Sequence, residues 1–246
     1  MDIIIRKPPN LIGDFLGLLP SLERLSLDSH VFLDLLPEAH PLMKIIPSYY
    51  NIKLFDGRPE NNIREIVIDL DKAFSYARKN DVYMSKAFME TLSLLNKEDA
   101  PKADLCYGKV KSLDTPYFLI SPFARSLPDN QKWDQHKWQE LTNMNSDRTF
   151  FVLGNSKYDD EKYLVGENVF NLYDKPFKEV CRKMKGSEGL LSLVTGTSHL
   201  AFHLNVKNIL LTNQGESGWG INPDSIKITT DIPELEVEEV NIKINK

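Results

Sequence analysis

The sequence predicts a two-lobed α/β protein in which each lobe is built on a parallel sheet. Short apolar runs alternate with helical patterns along most of the 246 residues, as they do in consecutive βαβ units. The alternation stops between Asn96 and Thr115, a polar stretch with no sustained period, and then begins again. A turn rich in Thr, Gly and Ser, Thr195–Ser198, separates an apolar run from a helical pattern. We therefore predict two domains, residues 1–112 and 113–246.

The first lobe begins with an apolar strand, Asp2–Arg6, that a proline-rich loop ends. A glycine-containing loop then leads into an apolar helix that closes near Leu25, and Pro20 is expected to loosen one of its turns. The remaining elements are expected to be strands at Val31–Leu35 and Arg64–Asp69, and helices at Glu38–Ile46, Asp71–Arg78 and Met84–Leu95.

The second lobe repeats the alternation. Strands are expected at Tyr117–Ser121, Thr149–Gly154 and Val169–Leu172, and helices at Asp134–Thr142 and Phe177–Met184. The turn at Thr195–Ser198 then joins an apolar strand ending at Val194 to a helix, which an apolar strand ending at Leu211 follows. Glu234–Ile244 fits neither period cleanly, so it is expected to be either an edge strand or a terminal helix.

The turn at Thr195–Ser198 has the chemistry of a phosphate site. The backbone N–H groups that open a helix have no partner inside it and carry the positive end of its dipole. Gly196 removes a side chain where a ligand would approach. The neighbouring side chains add hydroxyl groups and an imidazole: Thr195, Thr197, Ser198 and His199. Because Ser and Thr also cap ordinary helices, capping alone is the competing interpretation.

Bulk properties are those of a globular protein without a membrane anchor. Hydrophobic residues make up 41% of the chain, and no apolar run approaches the ~20 residues of a membrane helix. The charges of Met1–Lys7 follow a very short apolar run, the wrong order for a signal peptide. Cys106 and Cys181 fit no metal or redox spacing. We therefore expect a cytoplasmic protein without a transmembrane segment.

Three stretches, in this order, resemble the heptosyltransferase family of glycosyltransferases. Leu11–Leu22 is similar to the family's Leu-Gly-Asp followed by Leu-Pro-Ala-Leu. Ile120–Ser126 with Lys132-Trp133 is similar to His-Pro-Gly-Ala-Ser followed by Lys-x-Trp, and Val194–Ala201 to Asp-Thr-Gly-x-x-His-Leu-Ala. The resemblance implies a short, divergent member with a GT-B-like fold: two facing Rossmann-like domains with a cleft between them. The first domain would take the acceptor and the second the nucleotide sugar.

The resemblance also implies roles for individual residues. Asp14 matches the general base that takes a proton from the acceptor hydroxyl, although capping of the following helix is an alternative role. Lys132 matches the diphosphate-binding lysine, and a solvated surface lysine is its alternative. The other implied donor contacts are Thr195, Gly196, Thr197, Ser198 and His199 in the turn, with Ser121 and Arg125 in a second phosphate-side loop. Further candidates for donor or acceptor contact are Gly13, Glu216 and Trp219.

Departures from the family pattern concern polar contacts. Val194 stands where the family has an acidic residue, and Ser121-Pro122-Phe123-Ala124 replaces His-Pro-Gly-Ala. Two other patterns resemble metal sites: Asp69-Leu70-Asp71 has the shape of a divalent-cation motif, and His199 and His203 are one helical turn apart. We expect neither to hold a metal, because Asp69 ends an ordinary strand and the histidines have no evident third ligand.

The resemblance implies an inverting, metal-independent glycosyltransferase that needs no cofactor besides its nucleoside-diphosphate sugar. The acceptor would be a hydroxyl of a saccharide or lipid-linked saccharide, in the cytoplasm of a bacterium. In an alternative, a phage enzyme in an infected bacterium glycosylates a hydroxymethylated pyrimidine in duplex DNA; that requires a basic face drawn from Arg58, Arg64, Arg78, Lys79 and Lys86. A second alternative, favoured by Val194, is a non-catalytic nucleotide-sugar-binding protein.

Overall fold

The structure is a computed structural model. It describes residues 2–57, 63–94, 101–103, 105, 116–124, 127–160, 163–213, 221 and 223–245. The chain divides into two compact units, Met1–Tyr107 with Ser217–Pro223 and Gly108–Glu216 with Asp224–Lys246. The predicted boundary between residues 112 and 113 lies outside the described residues. Each unit contains a parallel sheet with helices, which confirms the α/β prediction.

Unit 1 contains a four-stranded sheet in the order β3-β2-β1-β4, with every pair parallel. Its strands are β1 Asp2–Arg6, β2 His30–Asp34, β3 Ile52–Leu54 and β4 Ile63–Val67. Its α-helices are α1 Ile12–Ser26, α2 Leu70–Asn80 and α3 Met84–Thr91, and a 3₁₀ helix spans Pro37–Ile45.

Helix α1 buries more residues than either α2 or α3. It is continuous through Pro20 and buries a run of eight residues from Phe15 to Leu22. Gly17 allows α3 to approach closely, because a Cβ there would lie only 2.4 Å from Met84 Sδ. The expected helix at Glu38–Ile46 is a 3₁₀ helix instead, since Pro41 in its interior lacks the N–H that an α-helix would use there.

Unit 2 contains a six-stranded sheet in the order β10-β9-β8-β5-β6-β7, again parallel throughout. Its strands are β5 Tyr117–Ser121, β6 Thr149–Val152, β7 Val169–Asn171, β8 Gly189–Leu193, β9 Asn208–Asn213 and β10 Ile226–Thr230. Its α-helices are α4 Gln135–Met144, α5 Phe177–Lys185, α6 Gly196–His203 and α7 Val237–Ile244, with 3₁₀ helices at Asp129–Gln131 and Ile232–Glu234.

The ambiguous C-terminal stretch is a helix, so the edge-strand alternative is wrong. Val237, Val240 and Ile244 are buried and share one helical face, which joins the core that includes Trp138 of α4. The Asn145 side chain fixes the helix by donating to Asn241 Oδ1 at 2.8 Å. Alternating glutamates before Val240 gave the strand-like pattern, but burial of the three apolar residues decides the conformation.

In each sheet the chain first adds strands on one side of its starting strand and then crosses over to add strands on the other side. The pair of adjacent strands on either side of this crossover is the switch point. In unit 1 this point lies between β1 and β4, and in unit 2 between β5 and β8. Open parallel sheets bind ligands outside the carboxyl ends of the strands at such switch points. Within the described ranges, no helix combines the length and hydropathy that a membrane span requires.

Candidate functional site

A cluster of three hydroxyl groups spans the switch point of unit 2. Ser121 ends β5, and Thr195 and Thr197 follow β8. Thr197 Oγ1 donates to Ser121 Oγ at 2.9 Å and lies 2.7 Å from Thr195 Oγ1. The structure therefore brings together side chains that are about 75 positions apart in sequence, at the carboxyl ends of two adjacent strands.

The first turn of α6 presents two backbone amides beside this cluster. The N–H groups of Gly196 and Thr197 donate to no atom of the described residues. Thr195 is the N-cap residue, and Ser198 completes a capping box with it: the Ser198 hydroxyl donates to the Thr195 carbonyl at 2.7 Å and accepts from the Thr195 N–H at 3.2 Å. Capping thus accounts for Ser198, and it leaves the amides of Gly196 and Thr197 available for an anion.

His199 lies inside α6 and is uncharged at neutral pH. It is only 5% exposed, and burial lowers its pKa to about 4. Its contribution to an anion site would therefore be a hydrogen bond rather than a positive charge. His203 is also buried, with its ring 5.2 Å from that of Phe202. In the part of the chain that the structure describes, no three His, Cys, Asp or Glu side chains converge on a metal-sized site.

Lys132 supplies a cation at the same edge of the sheet. It follows the 3₁₀ helix Asp129–Gln131, and its Nζ lies 2.9 Å from Asp129 Oδ1. Lys132 lowers the pKa of Asp129, whose side chain is 99% exposed. An ion pair this exposed is screened by solvent and contributes little to stability, so Lys132 can exchange Asp129 for a phosphate at little cost.

The backbone next to Lys132 is anchored by a buried indole. Trp133 Nε1 donates to the Leu235 carbonyl at 2.9 Å, and its ring packs edge-on against Trp138 at 4.9 Å. Lys137 Nζ donates to the same carbonyl at 3.0 Å. These contacts hold Lys132 in a fixed position relative to the sheet.

Replacing Trp133 with phenylalanine is expected to lower the free energy of unfolding by about 1–3 kcal/mol, measured by urea denaturation. Trp138→Phe is the matched control, because the Trp138 indole is equally buried but its N–H has no hydrogen-bond partner among the described residues. The control is expected to lose less stability. Equal losses would show that the hydrogen bond to Leu235 contributes nothing.

A cavity of ≈ 530 Å³ opens next to the hydroxyl cluster. Pro122, the residue after Ser121, and Lys132 are among the residues that line it. Its volume is in the range of small-molecule sites. Its lining combines aromatic rings with carboxylates and amides: Phe123, Tyr158 and Tyr163 with Asp129, Asp134, Asp159, Asp160, Asn130 and Gln135.

The tyrosines and aspartates of the β6–β7 loop were not among the predicted site residues. Tyr158, Asp159, Asp160 and Tyr163 follow β6, the strand next to β5. Burial and the charge of Asp134 raise the pKa of Tyr163 to about 12, so its hydroxyl remains a hydrogen-bond donor at neutral pH. The polar loop after a buried strand was the available signal, but strand order is needed to place that loop beside Ser121.

Asp14 lies at the carboxyl edge of the sheet of unit 1, in the first turn of α1. The N-cap position belongs to Leu11, so the alternative role of Asp14 as the cap is wrong. The carboxylate is partly buried, and burial raises its pKa above the ordinary value of 3.8. It makes no hydrogen bond or ion pair with any residue that the structure describes. Gly13 precedes it in the same turn of α1.

Asp69 has a structural role. Its carboxylate caps α2 by accepting from the Lys72 N–H at 2.9 Å. Four of the candidate binding residues named above lie outside the described residues: Arg58, Arg125, Glu216 and Trp219.

No protein-family model and no curated protein matches the sequence. Solved structures do match. The chain aligns over its full length with 89% of a glycosyl transferase family 9 structure from Veillonella parvula DSM 2008, at a TM-score of 0.66 and 11% identity. The chain has the fold of the heptosyltransferases. The E. coli heptosyltransferase WaaC with ADP gives a TM-score of 0.65 and 14% identity, over 100% of this chain and 99% of that one.

A third structure, the E. coli ADP-heptose lps heptosyltransferase II, aligns with 99% of this chain and 97% of its own. Its TM-score is 0.59 and its identity 12%. The predicted heptosyltransferase-like α/β fold is therefore confirmed. Because the identities are this low, the similarity concerns the fold alone.

Proposed function

We propose that the protein is an inverting, metal-independent glycosyltransferase that moves a sugar from a nucleoside-diphosphate sugar to a hydroxyl group of a saccharide or lipid-linked saccharide. One observation carries this proposal: along the carboxyl edge of the sheet of unit 2 lie a bridged hydroxyl cluster, a lysine, a cavity and two amides that have no partner among the described residues. Such a sequence of groups suits a ligand with an anionic end and an aromatic end.

The diphosphate would occupy the anionic half of this surface. The amides of Gly196 and Thr197 would donate to its oxygens, and Lys132 would neutralise the charge that builds up as the nucleotide departs. The nucleoside would extend into the cavity, where Phe123 and Tyr163 form an edge-on pair with ring centres 4.8 Å apart. WaaC of E. coli was solved with ADP, and a nucleoside diphosphate of that kind is the proposed leaving group here.

Asp14 would activate the acceptor. Its carboxylate takes the proton from the acceptor hydroxyl as that oxygen forms a bond to the anomeric carbon. The bond between the anomeric carbon and the diphosphate oxygen breaks at the same time, and its electron pair leaves with the diphosphate. Attack from the face opposite the leaving group inverts the configuration. The proposal requires both units to close on one cleft, which would exclude water and limit hydrolysis of the donor.

The partly buried carboxylate of Asp14 supports a catalytic function over the alternative in which the protein only binds a nucleotide sugar. The non-catalytic alternative is favoured by Val194, which removes an acidic contact of the family. Burial of Asp14 without a partner in the described part of unit 1 costs folding free energy, and binding of a nucleotide sugar by unit 2 gives no reason for that cost.

The DNA alternative requires a basic face. Of the residues proposed for that face, Arg64, Arg78 and Lys79 are exposed, whereas Lys86 pairs with Glu90 at 3.1 Å.

Turnover tests the proposal. Purified protein is incubated with UDP-, ADP- and GDP-sugars and with saccharide, lipid-linked saccharide and hydroxymethylated duplex DNA acceptors. Released nucleoside diphosphate is quantified, and the product is identified by mass spectrometry. Acceptor-dependent release by the wild type and its loss in Asp14→Ala are expected. Equal release by both proteins would refute the role of Asp14, and transfer to the DNA alone would replace the proposed acceptor class.

Thr197→Val tests the hydroxyl cluster. The variant keeps the backbone amide and the side-chain shape but loses the hydrogen bond to Ser121, so the dissociation constant for the nucleoside diphosphate should rise about 3- to 10-fold by calorimetry. Thr229→Val removes a comparable hydroxyl pair on β10, with Thr212 at 3.0 Å, and should bind as the wild type. Unchanged affinity in Thr197→Val would exclude a role of the cluster in binding.

A further inference from the structure

Helix α5 carries a row of basic side chains that pair with no carboxylate in the described ranges. Lys178, Arg182 and Lys185 recur at positions i, i+4 and i+7, which places them on one side of the helix. All three are exposed, as is Lys175 just before the helix. None of these four side chains forms an ion pair or hydrogen bond with a residue in the described ranges. We call these four residues the α5 basic face.

A neighbouring side of α5 is buried and anchors the helix. Cys181 and Met184 are fully buried, and Lys183 Nζ lies 4.3 Å from the centre of the Phe151 ring. Because the helix is anchored in this way, the α5 basic face displays its charges at fixed spacing. From Lys178 to Lys185 the helix rises about 10 Å.

Charge is distributed unevenly along the chain. The eleven residues from Lys175 to Lys185 contain five cations and one carboxylate, Glu179, and so carry +4. Since the whole chain carries −5, the other 235 residues carry −9. Glu179 is half-buried in the first turn of α5, where the helix dipole favours a carboxylate. The net positive charge of this segment therefore contrasts with the acidic balance of the rest of the chain.

We propose that the α5 basic face docks on the surface of an anionic lipid bilayer. A flat layer of phosphate headgroups is complementary to a straight row of cations on a convex helix, and each such cation raises binding about fivefold. The N-terminal end of α5 follows β7 and lies at the same sheet edge as Ser121, so docking would place that edge beside the bilayer.

A bilayer fits this surface better than a nucleic acid does. Proteins that hold single strands combine a basic groove with open aromatic rings. Here Tyr117 is buried and Phe151 lies under Lys183. Of the three neighbouring rings only Phe170, whose centre is 5.7 Å from that of Phe151, is exposed, so this group offers no series of open rings for stacking. The choice of a bilayer also rests on the proposed function, whose acceptors include a lipid-linked saccharide.

Vesicle flotation at low salt tests this proposal. Vesicles of phosphatidylcholine alone are compared with vesicles of equal parts phosphatidylcholine and phosphatidylglycerol. The wild type should float only with the anionic vesicles, and the triple variant Lys178→Gln, Arg182→Gln, Lys185→Gln should lose about a hundredfold in partition coefficient. The matched control is Lys72→Gln, Arg78→Gln, Lys79→Gln on α2, which removes the same exposed charge and should float as the wild type.

Several results would overturn it. The proposal is wrong if the triple variant floats as the wild type, if the wild type floats equally with neutral vesicles, or if duplex DNA or single-stranded RNA binds these residues more tightly than the vesicles do. A second measurement does not depend on any variant: at about 1 M salt, where the Debye length is about 3 Å, the wild type should leave the vesicles. Asp14→Ala should still float, which separates this test from that of the proposed reaction.

Discussion

Replacing Asp14 with asparagine is expected to reduce kcat about 10²- to 10⁴-fold, the usual contribution of a general base. The amide keeps the shape of the carboxylate but accepts no proton from the acceptor hydroxyl. Affinity for the nucleoside diphosphate should stay unchanged, because the proposed donor groups all belong to unit 2. Initial-rate kinetics with saturating donor, together with calorimetric titration of the product nucleotide, measure the two effects separately.

The same substitution is expected to stabilise the protein at neutral pH. Burial raises the pKa of Asp14 above 3.8, so the folded state disfavours the ionised form that exists at neutral pH. This cost is present above the raised pKa and disappears as the pH falls below 3.8, where the carboxyl is protonated in both states. Asp14→Asn should therefore raise Tm at pH 7 and have little effect in acid. A lower Tm at pH 7 would contradict the assignment of Asp14 as a desolvated, unpaired group.

Replacing Lys132 with glutamine is expected to lower kcat/KM about 10²- to 10³-fold, since it removes the cation that would stabilise the departing diphosphate. The side chain contacts Asp129 at the surface, so its loss should leave Tm almost unchanged. Steady-state kinetics and thermal unfolding test both statements.

Asp129→Asn is the informative companion to the Lys132 variant. It frees Lys132 from its competing carboxylate and should tighten binding of the nucleoside diphosphate by a few-fold at most. If Lys132→Gln retained wild-type kcat/KM, the lysine would be an ordinary surface residue, the alternative role considered from the sequence.

Local pattern was sufficient to predict most of the strands and helices. The strand Tyr117–Ser121 and the helix starting at Met84 lie where apolar periodicity puts them. The three-residue strand Ile52–Leu54 was not predicted, because its stability comes from parallel pairing with Val31–Leu33 rather than from its own sequence. The helix at Val237–Ile244 depended on packing in the same way.

The candidate site was only partly predictable for a related reason. Gly196 and Thr197 are recognisable from the turn that opens α6, and Lys132 and Asp14 from the family resemblance. That Thr197 hydrogen-bonds Ser121 follows from the adjacency of β5 and β8, which only the strand order gives. The acidic and aromatic lining after β6 likewise becomes part of a site only when β6 is placed beside β5.

Calorimetric titration of UDP, ADP and GDP into the wild type, Lys132→Gln and Asp14→Asn tests the central claim most directly. That claim assigns the donor diphosphate to the β5–β8 switch point of unit 2. At least one nucleotide should bind the wild type and Asp14→Asn with equal affinity, and Lys132→Gln should bind it about 10- to 100-fold more weakly. Binding of none of the three, or equal affinity for all three proteins, would contradict the account.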